Sequence, residues 1–595
     1  MMKERIYEDL TLILRRARII FMICAALGGL VLFYYWKVQI LDYEKYWKLA
    51  EANRTRVRVL TAPRGLIRDR EGGILADNTV GFRVSLDREN AADLASSVAA
   101  LGRLLELDPE VLRDRLAKTG ELGSFQPVVV KDNLTLEEVS RLESRRLELP
   151  EVIVEAEPKR AYPGHHFAAH VLGYLQIMTP EDLQSPLGKR HRPSDMAGKT
   201  GLERQYDALL TGTDGTLYEV VDSLGRTRGE ISRREPVQGR ELWLALDSEL
   251  QKKSEELLGN REGAIVVLDA RTGELLTLAS FPTYDPNGFI SRFTPQEWVN
   301  LTTDTTFPLE NRTIRGLYSP GSIFKMVMAM GGLDAGAVGP GTTFTCLGST
   351  IIYGNPFRCW NAAGHGPMNL SNAIKNSCNI YFYQVGRRLG IDQIAAYAQM
   401  AGLGRKTGID IPGEKDGLVP TSEWKLRTAK APWFPGETIS VAIGQGPLLV
   451  TPLQIACLTA FVARRGVPVT PRLARAEGPL PSADRVAVPV SVFEKVVEGM
   501  WRSVNDGGTG NAAGVAGFDI CGKTGSTQVV SREHAQQLAQ QGREVKTHSW
   551  FSGFGPRDDP RVVVTVLVEY GGGGGALAAV LARDLFELYT RKYAR

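Results

Sequence analysis

Six cysteines and seven histidines are few for 595 residues, and that scarcity excludes a disulfide-stapled scaffold. Basic residues barely outnumber acidic ones, 71 against 67, with no long basic block. An electrostatic grip on nucleic acid is thereby excluded. Internal repeats and long low-complexity linkers are missing as well. What is present, 43% apolar and 23% charged residues, is the composition of a globular protein, and the chain is too long for one ordinary core.

Ile19 to Trp36 is uncharged and apolar over a bilayer's thickness of helix, with Tyr34, Tyr35 and Trp36 where an aromatic belt belongs. Lys3, Arg5, Arg15, Arg16 and Arg18 precede it, which places the tail 1–18 in the cytoplasm. Everything after Lys37 then lies outside, held to the inner (cytoplasmic) membrane by one pass through 19–36. A cleaved signal peptide is the alternative, but the run is too long and no Ala-X-Ala-like site follows it. Cys24 falls inside the span, and Cys457 and Cys521 fall in apolar or strand-like runs, where a thiol is a small core side chain.

Beyond the membrane, Lys37 to Arg58 is expected to extend the helix, and Ala62 to Ala76 reads as strand and turn. Asn90 to Leu107 and Leu134 to Leu147 have the apolar spacing of amphipathic helices, and Val152 to Glu157 and Leu217 to Asp222 read as short strands. His165, His166 and His170 invite a metal, yet no acidic or cysteine ligand stands near them at regular spacing, so they are read as structural or solvated. From 239 onward the pattern changes. Glu241 to Leu246 alternates like a strand, Ser248 to Leu258 is a helix, and Gly263 to Asp269 with Leu275 to Ser280 makes a hairpin. Trp550 to Gly555 and Arg561 to Glu569 read as antiparallel neighbours closed by a helix over Ala576 to Tyr593. The expected fold class is α+β: a transmembrane helix, an elongated mixed α/β pedestal over 37–238, and a domain over 239–595 whose antiparallel sheet joins the two ends of that segment.

The chemistry centres on Tyr318 to Lys325. Pro320 and Gly321 make a turn ahead of the apolar run Met326 to Leu333, which puts Ser322 in the first turn of a buried helix. Free N–H groups and the helix dipole favour negative charge there, and Lys325 lies one turn on along the same face. Ser322 is a candidate nucleophile with Lys325 as its activator; an ordinary helix N-cap is the plainer reading of one serine. Ser422 and Lys425 repeat the spacing in a polar, proline-ended stretch that cannot form a buried helix. Succession separates the two pairs. Ser377-Cys378-Asn379 follows Ser322, ahead of the apolar Ile380 to Val385, and Lys523-Thr524-Gly525-Ser526 ends a strand that begins at Phe518. Isolated copies at Ser503-Val504-Asn505, Lys199 and Lys406 lack that order.

Cys346, Cys359, His365 and Cys378 crowd into a Gly-rich and Asn-rich stretch with little apolar material to order it. A tetrahedral zinc would supply that order and, through Cys378, fix the loop presenting Ser377 and Asn379. The rival is a Cys346–Cys359 disulfide with Cys378 as a buried thiol.

The three motifs together are those of penicillin-binding proteins and class A β-lactamases, and from anchor to C-terminus the chain resembles the class B penicillin-binding proteins. Arg64-Gly65-Leu66-Ile67-Arg68-Asp69 and Thr200-Gly201-Leu202-Glu203 look like the pedestal motifs of that class, and Gly444-Gln445-Gly446 with Thr451-Pro452-Leu453-Gln454 look like its transpeptidase domain. Trp360, Gly364-His365-Gly366 and Gly571 to Gly575 are most similar to the subgroup that serves rod elongation. The resemblance implies a serine β-lactamase-like domain that cross-links peptidoglycan stem peptides on lipid-linked glycan strands. It also implies covalent inhibition by β-lactams and a membrane partner, a SEDS-family glycan polymerase.

In that scheme Ser322 attacks the penultimate carbonyl of a D-Ala-D-Ala peptide, Lys325 takes its proton, Ser377 relays the proton to the leaving D-Ala, and Asn379 holds the substrate amide. Lys523 attracts the terminal carboxylate, Thr524 and Ser526 hydrogen-bond it, and the N–H groups of Ser322 and Ser526 hold the oxyanion. Gly525 and Thr527 complete the substrate-binding strand. Ser526-Thr527 stands where Thr-Ala is commoner, which preserves the hydrogen bonding. Water in place of an acceptor amine would turn the same site into a carboxypeptidase. The chemistry requires no cofactor, and the resemblance adds weight to structural zinc.

Other readings share the motifs: a septal enzyme of the same class, a β-lactamase, a β-lactam sensor, or a non-catalytic scaffold. A β-lactamase lacks so large a pedestal, a sensor carries a signalling part, and the intact Ser322, Lys325 and Lys523 speak against lost catalysis. The polar loop Arg532 to His548, long for a link between neighbouring strands, reads either as a mobile cover over the cleft or as a solvated surface loop with no role.

Overall fold

A computed structural model of the protein describes residues 2–88, 91, 93–118, 127–192, 195–222, 227–291, 293–476, 478, 483–528 and 547–593. The chain forms two compact units that interleave in sequence: Met1–Pro63, Val80–Pro158 and Thr213–Gln238 in one, Arg64–Thr79, Lys159–Gly212 and Gly239–Arg595 in the other. The loop expected over 532–548 lies outside the described residues except for its last two.

The first unit begins with helix α1 (Met2–Trp36); among the described residues, Leu10–Leu41 is the one helical stretch long and apolar enough to cross a membrane. After a π-helical turn at Lys37–Leu41, α2 (Tyr43–Arg54) gives way to strand β1 (Thr55–Leu60). The helical extension expected to Arg58 therefore stops at Arg54, where Thr55, Val57 and Val59 bring in β-branched side chains suited to a strand. β3 (Ile74–Leu86) begins in the second unit, and its last residues, in the first, pair with β4 (Val128–Lys131). Helices α3 (Leu94–Leu105), α4 (Pro109–Lys118) and α5 (Leu136–Glu143) pack an apolar core of Val84, Leu86, Val98, Leu101, Leu105, Leu112, Val130 and Leu142. Asp93 caps α3 through the N–H groups of Ala95 and Ser96, and Thr135 with Glu138 forms a capping box on α5. These caps make both helices start later than their apolar spacing suggested, and both also end earlier, at Leu105 and Glu143.

In the second unit, β2 (Ile67–Arg68) pairs with the start of β3 and runs parallel to β8 (Leu242–Trp243). β5 (Val152–Ala161) has most of its length in the first unit, as do β6 (Gly215–Val221) and β7 (Thr227–Arg234), which sheet with β1 in the order β1-β6-β7. A five-stranded antiparallel sheet dominates the second unit. Its strands are β9 (Gly263–Asp269), β10 (Leu275–Phe281), β11 (Cys521–Gln528), β12 (Thr547–Gly555) and β13 (Val562–Val568), in the order β10-β9-β13-β12-β11. Gly263 pairs with Val568 and Asp269 with Val562, so the two ends of the segment share one ladder.

Both faces of this sheet are covered, which is why β9 and β13 read as continuous apolar runs. Ile265, Val267, Val564, Val566 and Val568 meet α6 (Ser248–Leu258) and the C-terminal helix, while Ala264, Val266, Leu268, Val563 and Leu567 face the larger core on the other side. That second core holds α7 (Lys325–Asp334), α8 (Leu370–Lys375), α9 (Asn379–Leu389), α10 (Pro452–Ala463) and α11 (Val490–Asn505); the closing helix is α12 (Ala576–Tyr593).

A buried cluster of charge ties distant segments of the second unit together. Arg64 Nε donates to Glu203 at 2.7 Å and its Nη2 to Asp207 at 2.9 Å, while Arg160 Nε reaches the other oxygen of Glu203 at 2.7 Å. Burial pushes the Glu203 carboxyl upward, but the guanidinium groups of Arg160 and Arg64 outweigh it and hold the pKa below the usual range. Removing the carboxylate would strip the buried Arg160 of its carboxylate partner and leave the buried Arg64 to Asp207. Glu203→Ala is expected to cost about 3–5 kcal/mol in chemical denaturation of the detergent-solubilised chain. Thr211→Ala, which deletes only an acceptor of Arg64 at 2.8 Å, is expected to cost about 1 kcal/mol; equal effects from the two would contradict this account.

Candidate functional site

The turn ahead of α7 is a short 3₁₀ segment, Gly321–Phe324, with Gly321 at φ +54°. Ser322 is half-buried in it, and Lys325, the first residue of α7, is wholly buried. Lys325 Nζ donates to Asn379 Oδ1 at 2.7 Å, to the Ser377 carbonyl at 2.8 Å and to Ser377 Oγ at 3.2 Å. It also stands 5.6 Å from the centre of the Phe382 ring. Burial lowers its pKa to about 8, against the opposing pull of Cys378 and Cys359.

Ser377 bridges α8 and α9 in the left-handed region, φ +52°, a conformation that a serine adopts only when its surroundings hold it. Cys378 N–H donates to the Ala373 carbonyl at 2.9 Å and Ser377 N–H to that of Ile374, which pins the link from both sides. Asn379 opens α9 with its side chain half-exposed.

The lysine-threonine-glycine run lies inside β11. The expected strand started at Phe518 and ended with the motif; the observed strand starts at Cys521 and continues through Gln528, because Phe518 turns back in an isolated bridge to Val515. β11 is the sheet's edge strand, so one side of its backbone faces away from β12. Lys523 is fully buried, and burial together with the charge of Lys325 depresses its pKa well below the ordinary lysine value. Its Nζ donates to the Thr524 carbonyl at 2.9 Å. A Cβ on Gly525 would stand 3.0 Å from the Pro320 carbonyl, and one on Gly321 would stand 2.8 Å from that of Ser526 and 2.7 Å from Thr527 Cγ2. The serine turn and β11 are thus in contact along Gly525, Ser526 and Thr527. Ser422 and Lys425 lie elsewhere, on an unburied helix where Ser422 bonds Asp392 and Lys425 bonds Glu437.

Two features escaped the sequence reading. Thr524 Oγ1 donates to Thr509 Oγ1 at 2.9 Å, and Thr509 N–H donates to the Lys375 carbonyl at the end of α8. The Gly507-Gly508-Thr509-Gly510 turn after α11 was the available signal. Tyr318, in turn, donates to Glu569 at 2.7 Å, and Arg312 holds the same oxygen at 2.7 Å; nothing in the spacing of these residues marks them.

Cys346, Cys359, His365 and Cys378 converge, their ligand atoms all within 4.8 Å of one another. Bonds to zinc of about 2.3 Å from sulfur and 2.0–2.1 Å from nitrogen, at tetrahedral angles, separate N from S by roughly 3.6 Å. His365 Nδ1 stands 3.5 Å from Cys346 Sγ and 3.6 Å from Cys359 Sγ. The three cysteines are buried free thiols, and His365 Nε2 is buried without a hydrogen-bond partner among the described residues, so the ring is oriented by the sulfurs and by the Trp360 ring, 5.2 Å away between centres. Cys359 is pushed toward thiolate by a hydrogen bond from Cys378 and then, against burial, by the N–H groups of Asn379 and Asn361. His165, by contrast, pairs with Asp285 at 2.8 Å, and His170 Nε2 donates to the Pro282 carbonyl at 3.1 Å.

The family model described as the penicillin binding protein transpeptidase domain matches residues 263–587, and that described as the penicillin-binding protein dimerisation domain matches 59–244. The peptidoglycan D,D-transpeptidase MrdA of Acinetobacter baumannii is 35% identical over 93% of this chain and 84% of its own length. That of Escherichia coli K12 is 30% identical over 96% of this chain and 94% of its own. Among solved structures, the complex between penicillin-binding protein PBP2 and MreC from Helicobacter pylori is similar at a TM-score of 0.80 and 31% identity, over 90% of this chain and 99% of that one. A structure titled "Structural coordination of polymerization and crosslinking by a peptidoglycan synthase complex" is similar at 0.71 and 30% identity, over 96% and 98%.

Proposed function

The chain belongs to the penicillin-binding protein family of peptidoglycan D,D-transpeptidases, and we propose that Ser322 is the residue its donor peptide acylates. The observation that carries the assignment is the bond set of Lys325, which joins the serine turn to Ser377 and Asn379 in one buried cluster. As an ammonium Lys325 fills three acceptors. As a neutral amine it keeps two donors and gains a lone pair for the Ser322 proton, and the longest of the three bonds, to Ser377 Oγ, is the least costly to release.

Attack of Ser322 Oγ on the penultimate carbonyl forms the C–O bond of an acyl-enzyme. The oxyanion is held by the N–H groups of Ser322 and Ser526, and the C–N bond to D-Ala breaks as the proton passes from Lys325 through Ser377 to the leaving nitrogen. Lys523, Thr524 and Ser526 receive the terminal carboxylate along the β11 edge, with Gly525 and Thr527 shaping the strand, and Asn379 takes the peptide amide. An acceptor amine then attacks the ester carbonyl, frees Ser322 and completes the cross-link.

Zinc at Cys346, Cys359, His365 and Cys378 would lock the loop that presents Ser377 and Asn379. The tetrahedral N-to-S separations support it, as do the N–H donors directed at Cys359. Lys3, Arg5, Arg15, Arg16 and Arg18, ahead of the apolar span within α1, support a cytoplasmic tail and an extracytoplasmic catalytic domain. Rod elongation, with a SEDS-family polymerase as partner, follows from the likeness to the MrdA proteins and to a structure whose title couples polymerization with crosslinking.

A fluorescent penicillin should label the wild-type chain at Ser322 and leave Ser322→Ala unlabelled on peptide mapping. Because burial penalises the ammonium and sets its pKa at about 8, the labelling rate should climb from pH 6, pass half its plateau near pH 8 and level off above about pH 9. A rate still climbing at pH 10 would mean an unperturbed lysine. Protein purified without chelator should carry close to one zinc per chain and lose it in Cys378→Ala. A mapped Cys346–Cys359 disulfide without zinc would reject the metal. Co-expressed with the SEDS polymerase, the chain should co-purify with it in detergent; separate elution would rule out a stable complex.

A further inference from the structure

The geometry points to Gly444 as a positioning residue: the loop that carries it presses the Pro320–Gly321 turn against β11 and so sets the gap between the N–H groups of Ser322 and Ser526. The inference rests on the reading of Ser322 as nucleophile and asks what holds its oxyanion donors in place. Gly321 N–H donates to the Gly444 carbonyl at 2.9 Å. Gly444 has φ +72°, and a Cβ on it would lie 2.0 Å from the Gly321 oxygen and 2.8 Å from the Gly321 nitrogen, both of them backbone atoms. On its opposite side Gly321 meets the Ser526 carbonyl and the Thr527 methyl. The turn is therefore gripped between the 444 loop and the strand that supplies the second donor, with no room for a methyl group on either side.

The loop cannot retreat easily. Gly444 N–H donates to the Val441 carbonyl at 2.8 Å and Gln445 N–H to that of Ser440 at 3.1 Å. Farther along, Tyr318 and Val450 exchange two backbone bonds of 2.9 Å, which ties the approach to Ser322 to the same segment. Ala442 closes the back: a Cβ on Gly386 of α9 would lie 2.5 Å from the Ala442 Cβ, so the helix that begins with Asn379 supports the loop from behind. A shift of a few tenths of an ångström at Gly444 would pass through the Gly321 peptide to Ser322 N–H. Oxyanion donors act only within a narrow distance of the developing charge.

The test separates binding from chemistry. Stopped-flow acylation of the full-length, detergent-solubilised chain by a fluorescent penicillin yields the pre-acylation Kd and the first-order acylation rate. Gly444→Ala should lower the rate by about 10²–10³-fold, the range for loss of one oxyanion donor, with Kd within about threefold and the melting temperature within a few degrees. Gly446→Ala imposes the same positive-φ strain, φ +74°, with its nearest neighbour at 3.7 Å; it should keep the rate within about threefold. If Gly444→Ala does not fold, Ala442→Gly loosens the same support without adding an atom and should lower the rate three- to tenfold at unchanged Kd. Wild-type rates in Gly444→Ala or Ala442→Gly, parallel losses in Kd and rate, or an equal loss in Gly446→Ala would each overturn the assignment. Label mapped to a residue other than Ser322 would instead reject the underlying reading of the nucleophile.

Discussion

Everything in the catalytic unit turns on an amine buried among uncharged oxygens. Lys325 has no exposure, and its three acceptors are a carbonyl, a hydroxyl and an amide. Neutral acceptors satisfy its hydrogen bonds without returning the hydration energy of the charge, so the proton is held less tightly than on a lysine in water. A carboxylate in the same place would have made a stronger pair and a useless base. Burial and then the charge of Lys325 in turn depress the second buried lysine, Lys523.

Holding such a group demands rigidity around it, and two devices supply this. One is the left-handed Ser377, fixed by backbone bonds to α8 and flanked by Cys378 of the four-ligand cluster. The other is the packing of the serine turn against β11, where glycines at 321 and 525 let the backbones approach more closely than side chains would allow. The charged cluster at Glu203 plays a corresponding part elsewhere in the unit, joining the segments that contain 64, 160 and 203. Its members bind residues 64–79 to 159–212, and the pairing of β2 with β8 ties these to the chain after 239.

How legible this was in the sequence depended on range. The hairpin of β9 and β10, the closing helix α12 and the convergence of Cys346, Cys359, His365 and Cys378 could be read, because alternation, helical spacing and rare ligand types are local signals. The order of the three motifs also distinguished Ser322 from the equally spaced Ser422, whose helix buries none of its residues. Boundaries were less secure. β11 begins three residues later than expected because Phe518 turns back on Val515, and the helix after the membrane gives way to a strand at Thr55 because a cross-strand partner, Val220, is available there. Glu569 carries no local mark, and the glycine runs around Thr509 and Gly444 do not show what those residues touch. Their importance comes from partners far away in sequence, and only the folded chain brings them together.

The ladder between β9 and β13 also constrains how the molecule is made. Gly263 must wait for Val568, and at about 5–20 residues per second the roughly 300 intervening residues take some 15–60 s to synthesise. Through that interval β9 and β10 form a hairpin with an unpaired apolar edge, the kind of template that recruits other chains. The nascent domain is therefore most vulnerable to aggregation late in its synthesis, and a ribosome that stalled between α9 and β13 would leave an adhesive fragment tethered by α1.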